Sequence, residues 1–206
     1  YESLAIASAM HESGFEEVPD EEEADIVIIN SCTVTAGGDK KARQSASKIK
    51  RRSPEKLVVL TGCYPQAFPE EAAASGADIV TGNGERGKIA ELVKKYISDG
   101  AVCRSIPELP NAFEEMHIQR GGEKTRAFIK IEDGCNRFCS YCIIPYARGR
   151  VRSRSLESIL SEARQCAAEG FRELVLVGIN LSCYGTDCGL SLADAVEVAC
   201  SVEGIE

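Results

Sequence analysis

The sequence predicts an α/β protein, in which an N-terminal parallel-sheet domain is followed by the first β/α units of a second parallel sheet or barrel. Three observations support this class. Short β-branched apolar runs recur along the chain, segments of helical period separate them, and a stretch rich in proline, glycine and mixed charge divides the series in two. Because strands joined through helices run parallel, we expect helices on both faces of the N-terminal sheet.

The N-terminal domain is predicted over residues 1–99. Its predicted helices are Leu4 to Ser13, Asp39 to Arg52, Pro69 to Ser75 and Arg86 to Ser98. An acidic loop over Glu16 to Glu23 follows the first of them. Its predicted strands are Asp25 to Asn30, Lys56 to Thr61 and Ala77 to Thr81. Cys32 and Cys63 each come just after one of these strands. Since ligands collect at the carboxyl ends of parallel strands, both thiols are predicted at one functional edge.

Residues 100–125 are predicted to be a linker that contains at most one short edge strand, because their prolines, glycines and mixed charges show no clear period. The second unit is predicted over residues 126–206. Its predicted elements are a strand over Ala127 to Ile131, a helix capped by Ser155 that runs to Glu169, a strand over Glu173 to Val177 and a helix over Leu190 to Ser201. Two such β/α repeats begin either a barrel or an open parallel sheet.

The composition limits the class of protein. With 206 residues, 44 % of them hydrophobic, the chain can form a real core, but its apolar runs are far shorter than the roughly 20 residues that span a membrane. We therefore expect a cytoplasmic protein with no membrane partner. The net charge of −8 argues against a general nucleic-acid coat but allows a local basic patch. The ten cysteines could form disulfides, yet reduced thiols fit this α/β pattern better.

GCNRFCSYC at residues 134–142 contains three cysteines at C-x3-C-x2-C spacing directly after a predicted strand: Cys135, Cys139 and Cys142. A structural zinc site needs four ligands, usually from two separated pairs, which this loop does not offer. Three thiolates can instead hold three irons of a [4Fe–4S] cluster and leave the fourth iron open. A non-catalytic interaction module that holds zinc or a structural cluster stays an alternative, and metal analysis would separate the two.

The triplet resembles the signature of radical S-adenosylmethionine (SAM) enzymes, and Tyr141 fits their aromatic residue before the last cysteine. The resemblance implies a radical SAM partial TIM barrel in which SAM chelates the open iron and is cleaved to a 5′-deoxyadenosyl radical. Gly178 and Asn180 follow the second strand, where the family has a glycine-rich stretch close to the SAM amino group. For each of these two residues, a bare turn is the other interpretation.

Five stretches together resemble the radical SAM methylthiotransferases: NSCTVT, KKARQ, TGCYPQ, GCNRFCSYCIIPYARGRVRSRS and VGINLSCYG. In that family the N-terminal domain binds a second [4Fe–4S] cluster through three cysteines, and an RNA-binding TRAM domain follows the barrel. Cys32 and Cys63 correspond to the second and third of those cysteines. Both ends of the chain look cut, so the first cysteine is expected just before Tyr1, and the rest of the barrel and the TRAM domain after Glu206.

The stretch GINLSCYG resembles the branch of the family that methylthiolates C2 of N6-threonylcarbamoyladenosine beside the tRNA anticodon, consuming two SAM molecules. Isopentenyladenosine in tRNA and an aspartate of ribosomal protein S12 are alternative substrates of the same chemistry. The resemblance further implies the tRNA anticodon loop as a partner, an electron donor such as a flavodoxin or ferredoxin, and a monomer.

Several other residues have two interpretations. The alternating arginines after the triplet and three cations near Cys32 could meet RNA phosphates, or could form a solvated edge or a salt-bridge network: Arg148, Arg150, Arg152, Arg154, Lys40, Lys41 and Arg43. The remaining cysteines are predicted to be packing residues, with a disulfide or metal site between Cys183 and Cys188 as a minor alternative: Cys103, Cys166, Cys183, Cys188 and Cys200. His11 and His117 have no catalytic partner in the sequence and are assigned no role.

Overall fold

A computed structural model describes residues 1–104, 106–116, 118 and 125–206, so His117 lies outside the described residues. The helices are α1 (Glu2–Glu12), α2 (Ala36–Arg52), α3 (Cys63–Ala67), α4 (Pro69–Ala73), α5 (Ile89–Asp99), α6 (Ile144–Ala147), α7 (Leu156–Ala168) and α8 (Leu192–Cys200). The strands are β1 (Ile26–Ser31), β2 (Leu57–Gly62), β3 (Ile79–Val80), β4 (Cys103–Arg104), β5 (Arg126–Lys130), β6 (Glu132–Asp133), β7 (Arg152–Ser153) and β8 (Glu173–Val177). No helix in the described ranges is long and apolar enough to cross a membrane.

The first four strands form one parallel sheet in the order β1, β2, β3, β4. The β1–β2 pairing runs from Ile26 opposite Leu57 to Ser31 opposite Gly62. The parallel sheet predicted from the alternation of strands and helices is therefore confirmed. The fourth strand, β4, lies at the edge of the sheet inside the predicted linker, where the sequence allowed one short edge strand. Its exact position could not be predicted, because a strand of two residues has too short a pattern.

Helices cover both faces of this sheet, as predicted. Val58 and Leu60 of β2 pack in a core with α2, α3 and α4, whereas Leu57 and Val59 pack in a core with α1 and α5. Successive side chains of a strand point to opposite faces, so β2 is buried on both sides. This double burial explains why its sequence is continuously apolar rather than alternating.

The second unit begins with β5 and β8, which pair in parallel from Arg126 opposite Glu173 to Lys130 opposite Val177. One face of β5 packs in a core with α7 and α8. The predicted cap of α7 is confirmed, since the Ser155 hydroxyl accepts a hydrogen bond from the Ser158 amide at 3.2 Å. An antiparallel pair that the sequence did not predict, β6 with β7, lies beside these strands.

Residues 106–116 of the predicted linker pack against both units. Ile106 contacts the core formed by α2, α3 and α4. The Pro110 carbonyl accepts a hydrogen bond from Arg152 Nη1 at 3.1 Å, and the Glu115 carboxylate accepts one from Arg154 Nε at 3.0 Å. The segment therefore holds the two units together instead of acting as a free spacer.

Candidate functional site

The three cysteines of the triplet lie in the loop between β6 and α6, called the thiol loop below. Gly134 begins this loop at φ +85°, and a Cβ there would lie 2.0 Å from the Arg150 carbonyl oxygen. Only glycine permits both this left-handed backbone and this close approach. The Cys135 amide donates to the Gly149 carbonyl at 3.0 Å. The start of the loop is therefore fixed against the segment that follows α6.

The three thiols differ in exposure. Cys139 is exposed, whereas Cys135 and Cys142 are partly buried, and Tyr141 between them is 91 % exposed. The Cys142 amide donates to the Cys139 carbonyl at 2.9 Å, which closes a tight turn at the end of the loop. In the part of the chain that the structure describes, no three His, Cys, Asp or Glu side chains converge as they would around a metal ion. The assignment of the three thiols to one cluster thus stays a prediction.

The turn after β8 lies against the start of the thiol loop. The Asn180 amide donates to Glu132 Oε2 at 2.7 Å, and the Asn180 side-chain nitrogen lies 3.9 Å from Cys135 Sγ and 3.2 Å from Cys183 Sγ. A Cβ on Gly178 would lie 2.7 Å from the Glu132 carboxylate, so a side chain there would have to displace it. The structure thus brings Asn180 next to Cys135 and Gly178 next to Glu132, while the role of both residues toward SAM stays a prediction.

Glu132 is a buried carboxyl group that the sequence analysis missed. Burial raises its pKa above the usual value, although the hydrogen bond from the Asn180 amide opposes the shift. Its Oε1 atom is buried without a hydrogen-bond partner among the described residues. The only signal in the sequence was the acidic pair that directly precedes Gly134.

The two N-terminal thiols occupy equivalent positions on neighbouring strands. Cys32 follows β1 and Cys63 follows β2, and the register pairs Ser31 with Gly62 just before them. Their predicted location at one edge of the sheet is therefore confirmed. Cys32 is exposed and Cys63 is buried, because Cys63 begins α3, a short helix that the sequence analysis missed.

The thiol of Cys63 faces the second unit. Arg148 Nε donates to Cys63 Sγ at 3.1 Å, and Asn83 Nδ2 lies 3.6 Å from the same sulfur. Asn83 also donates to the Ala147 carbonyl at 2.5 Å, which brings the end of α6 over the thiol. Arg148 therefore connects the N-terminal thiol edge with the segment that follows the thiol loop.

A buried ion cluster surrounds Arg148, and its members are Glu2, Arg86, Glu114, Lys130, Asp133, Arg148 and Arg152. Glu2 accepts hydrogen bonds from Arg148 Nη2 at 3.0 Å and from Lys130 Nζ at 2.7 Å. Lys130 Nζ also donates to Asp133 at 2.6 Å. Burial alone would raise the pKa of both carboxyl groups, but Lys130 and Arg148 outweigh it and hold each pKa below its usual value.

The alternating arginines divide into two groups. Arg148, Arg152 and Arg154 are largely buried and pair with carboxylates, so the salt-bridge network was the correct interpretation for these three. Arg150 is exposed, and its guanidinium carbon lies 5.4 Å from the centre of the Phe138 ring. The sequence could not distinguish them, because the carboxylate partners lie far away along the chain.

The other candidates do not join either thiol site. Lys40 and Lys41 are exposed on α2, and Arg43 pairs with exposed Glu71 at 3.3 Å. No disulfide joins any of the ten cysteines, all of which lie in the described ranges, so the Cys183 to Cys188 bond is absent.

Two family profiles match the chain. The uncharacterized protein family UPF0004 matches residues 1–82, and the radical SAM superfamily matches residues 129–197. The second match includes the thiol loop and the turn after β8. The fold and the thiol loop therefore define a radical SAM protein, and the three-thiol donor set fits the [4Fe–4S] cluster and SAM that such proteins use.

The chain is similar over most of its length to several curated proteins. The chain is 39 % identical over 201 residues to the threonylcarbamoyladenosine tRNA methylthiotransferase MtaB of Aquifex aeolicus, covering 95 % of this chain and 48 % of the relative. It is 40 % identical over 190 residues to MtaB of Bacillus subtilis, covering 91 % of this chain and 42 % of the relative. The tRNA-2-methylthio-N(6)-dimethylallyladenosine synthase of Thermotoga petrophila is 39 % identical over 211 residues, covering 100 % and 47 %.

The chain thus matches a radical SAM profile and is similar, over nearly its whole length, to relatives named as tRNA methylthiotransferases. It spans about half the length of the curated relatives it matches.

Solved structures agree with the fold. The radical SAM methyltransferase TsrM of Kitasatospora setae, with tryptophan and aza-SAM bound, has a TM-score of 0.56 at 19 % identity, covering 96 % of this chain and 47 % of that chain. A second TsrM structure, with cobalamin and a [4Fe-4S] cluster bound, has a TM-score of 0.58 at 18 % identity, covering 95 % and 47 %. At such identity the likeness concerns the fold alone, and it supports the predicted partial TIM barrel.

Proposed function

We propose that residues 1–206 form part of a tRNA methylthiotransferase that replaces the C2 hydrogen of N6-threonylcarbamoyladenosine, beside the anticodon, with a methylthio group. The observation that carries this proposal is the pairing of two thiol sites across one interface. The thiol loop belongs to the second unit, Cys63 belongs to the first, and Arg148 contacts Cys63 directly. A reaction that inserts sulfur by radical chemistry needs both sites close together.

The thiol loop would hold the [4Fe–4S] cluster. Cys135, Cys139 and Cys142 offer three soft thiolate donors, and residues 134–143 contain no fourth cysteine and no histidine, which suits a cluster with one open iron. When bound, the cluster and SAM supply a one-electron cleavage that yields a carbon radical able to remove a hydrogen atom from carbon. The left-handed backbone of Gly134 and the turn at Cys142 would hold the three donors in one short loop.

SAM would lie against the turn after β8 and the end of the thiol loop. Gly178 lets the turn pack closely against Glu132, and Asn180 offers a side-chain amide 3.9 Å from Cys135 Sγ. Tyr141 offers an exposed aromatic ring just before Cys142. The backbone at Gly178, the Asn180 amide and the Tyr141 ring would orient SAM through its polar groups and its adenine ring.

The N-terminal edge would hold a second [4Fe–4S] cluster. Cys32 and Cys63 would supply two of its ligands, and the family resemblance supplies the third from a cysteine just before the position of Tyr1. Arg148 would donate a hydrogen bond to the coordinated sulfur of Cys63, as partners of metal ligands commonly do. An electron donor such as a flavodoxin or ferredoxin would reduce the clusters.

The substrate proposal rests on the turn after β8. Residues 178–185 read GINLSCYG, which favours threonylcarbamoyladenosine over isopentenyladenosine. Overall identity does not separate them, because the MtaB relatives are 39 % and 40 % identical and the dimethylallyladenosine synthase is 39 % identical. Isopentenyladenosine is therefore the second candidate substrate.

The experiment uses the full-length gene product, purified and reconstituted without oxygen, together with tRNA that lacks methylthio groups. Mass spectrometry of the digested nucleosides should show a methylthio gain on threonylcarbamoyladenosine, and Cys139→Ala should abolish it. A gain on isopentenyladenosine alone would reassign the substrate. If neither nucleoside gained a methylthio group while ribosomal protein S12 was modified, the tRNA proposal would be overturned. Bound zinc without visible absorbance would overturn the proposal that the protein is an enzyme.

A further inference from the structure

Phe138 of the thiol loop, Tyr146 of α6 and Arg150 form an exposed group, called the aromatic platform below. Phe138 is 45 % exposed and Tyr146 is 64 % exposed. Their ring centres lie 5.8 Å apart at an interplanar angle of 88°, and the Arg150 guanidinium lies 5.4 Å from the centre of the Phe138 ring. Two large rings and a cation thus stand together in solvent, where apolar surface is costly to expose.

The charge of the aromatic platform differs from that of its surroundings. The neighbouring residues Arg148 and Arg152 are turned inward onto carboxylates, whereas Arg150 and Arg137 are exposed and, within the described ranges, pair with no carboxylate. In a chain with a net charge of −8, this is a local positive surface. Unpaired guanidinium groups at an exposed surface attract phosphates.

The backbone holds the Phe138 ring in place at some cost. Phe138 has φ +45°, and it is the one described residue other than glycine with a positive φ. This conformation costs a residue with a side chain about 1 to 2 kcal/mol. Strain of this kind persists where the surrounding structure enforces it, and it clusters at functional sites. Here the anchored ends of the thiol loop enforce it and present the ring to solvent.

We propose that the aromatic platform binds an unpaired base of an RNA loop by stacking, with Arg150 against the adjoining phosphate or base. Single-stranded RNA is recognised by stacking of splayed bases on aromatic rings and guanidinium planes. The absence of a paired carboxylate at Arg137 and Arg150, among the described residues, leaves both cations available to a phosphate backbone. This inference rests on the proposed function and extends it, because it says which surface positions the tRNA anticodon loop beside the thiol loop.

Binding of an anticodon stem–loop RNA to the reconstituted full-length protein tests the aromatic platform. Phe138→Ala and Arg150→Ala should each weaken binding roughly 5- to 150-fold, as expected for the loss of one stacking surface. Phe138→Tyr and Tyr146→Phe, which keep the rings, should bind like the wild type. Arg172→Ala is the matched control, because Arg172 is also exposed but pairs with Glu206.

Two readouts separate a local effect from damage to the thiol loop. Iron content and RNA-independent SAM cleavage should be unchanged in Arg150→Ala, whose side chain lies outside the loop. A hairpin capped by a non-nucleotide linker in place of its loop should bind the wild type and the variants equally.

The inference is overturned if Phe138→Ala and Arg150→Ala bind the stem–loop like the wild type, or if they weaken the loop-free hairpin equally. It is also overturned if the platform variants impair binding of ribosomal protein S12 and not of RNA. Failure of the wild type to modify any tRNA, with the variants still impaired in RNA binding, would instead remove the proposed function and leave the RNA-binding platform standing.

Discussion

At the scale of the residue, Glu132 is a buried carboxyl group whose pKa is raised by its surroundings. It accepts a hydrogen bond from the Asn180 amide at 2.7 Å, and burial raises its pKa. A raised pKa means that the protonated group stabilises the fold below the unfolded-state pKa of about 4.3. This contribution is lost as the pH rises through the folded-state pKa, so an amide side chain should suit the position.

We therefore expect Glu132→Gln to be at least as stable as the wild type near neutral pH, because the amide keeps a hydrogen-bond acceptor and has no charge to bury. Glu132→Ala leaves the Asn180 amide without its acceptor and should lower the free energy of unfolding by about 1 to 3 kcal/mol. Urea denaturation at acidic and neutral pH measures both variants. If the Gln variant were as unstable as the Ala variant near neutral pH, the negative charge itself would be required.

At the scale of the element, Gly134 and Gly14 provide a matched pair. Both have positive φ values, +85° and +90°, but a Cβ at Gly134 would lie 2.0 Å from a carbonyl oxygen, whereas nothing lies within 4 Å at Gly14. Gly14→Ala should therefore cost only the backbone strain of about 1 to 2 kcal/mol. Gly134→Ala should cost clearly more and lower the iron content after reconstitution. Thermal unfolding and iron analysis of both variants would test this, and equal losses of stability would contradict it.

The ion cluster joins α1, β5, β6, β7 and the residue after α6, and it predicts how the protein responds to acid. Glu2 and Asp133 have lowered pKa values, so their ionised forms stabilise the fold above the unfolded-state values of about 4, and this contribution is lost as the pH falls. Arg148→Ala should lower the free energy of unfolding by about 3 kcal/mol near neutral pH and shift acid unfolding to higher pH.

Arg172→Ala is the control for this prediction, because it removes an exposed ion pair that contributes less than about 1 kcal/mol. Circular dichroism during acid titration measures the midpoint of unfolding. An unchanged midpoint in Arg148→Ala would mean that Lys130 and Arg86 suffice to stabilise both carboxylates.

The elements that the sequence predicts are those whose pattern is long enough to read. Continuous apolar residues predict β1 and β2, and Ser155 predicts the start of α7, because burial on both faces and helix capping leave local patterns. The two-residue strands β4, β6 and β7 leave none. Nor does α3, although it begins at Cys63, because Gly62 and Pro65 mark a turn rather than a helix.

At the scale of the whole molecule, the sequence identifies the thiols but not the contacts between them. The C-x3-C-x2-C spacing and the two strand ends are local features, so Cys32, Cys63 and the thiol loop are all found from sequence. The contacts of Arg148 with Glu2 and Cys63 join residues 146 and 85 positions apart, which no local pattern can signal. Such distant partners determine which of the alternating arginines are buried in ion pairs, and they also determine how the two units pack against each other.

The packing of the two units over Cys63 leads to a prediction about thiol reactivity. Cys32 is exposed, whereas Cys63 is covered by Arg148 and by the end of α6. In the cluster-free protein, iodoacetamide should therefore modify Cys32 rapidly and Cys63 slowly, as mass spectrometry of peptides would show. Arg148→Ala should speed the modification of Cys63 by about tenfold or more, because loss of a buried ion-pair partner costs more than the 1.4 kcal/mol that corresponds to tenfold.

Cys166 distinguishes opening of the interface from unfolding of the whole chain, since it is buried in the core of the second unit, away from Arg148. If the two units separate locally, Arg148→Ala should accelerate the modification of Cys63 but not of Cys166. Equal acceleration of both thiols would mean that Cys63 becomes accessible only when the entire chain unfolds. Selective acceleration would instead identify the contact between the units as the least stable part of the fold, which is where a second cluster and its substrate would have to meet.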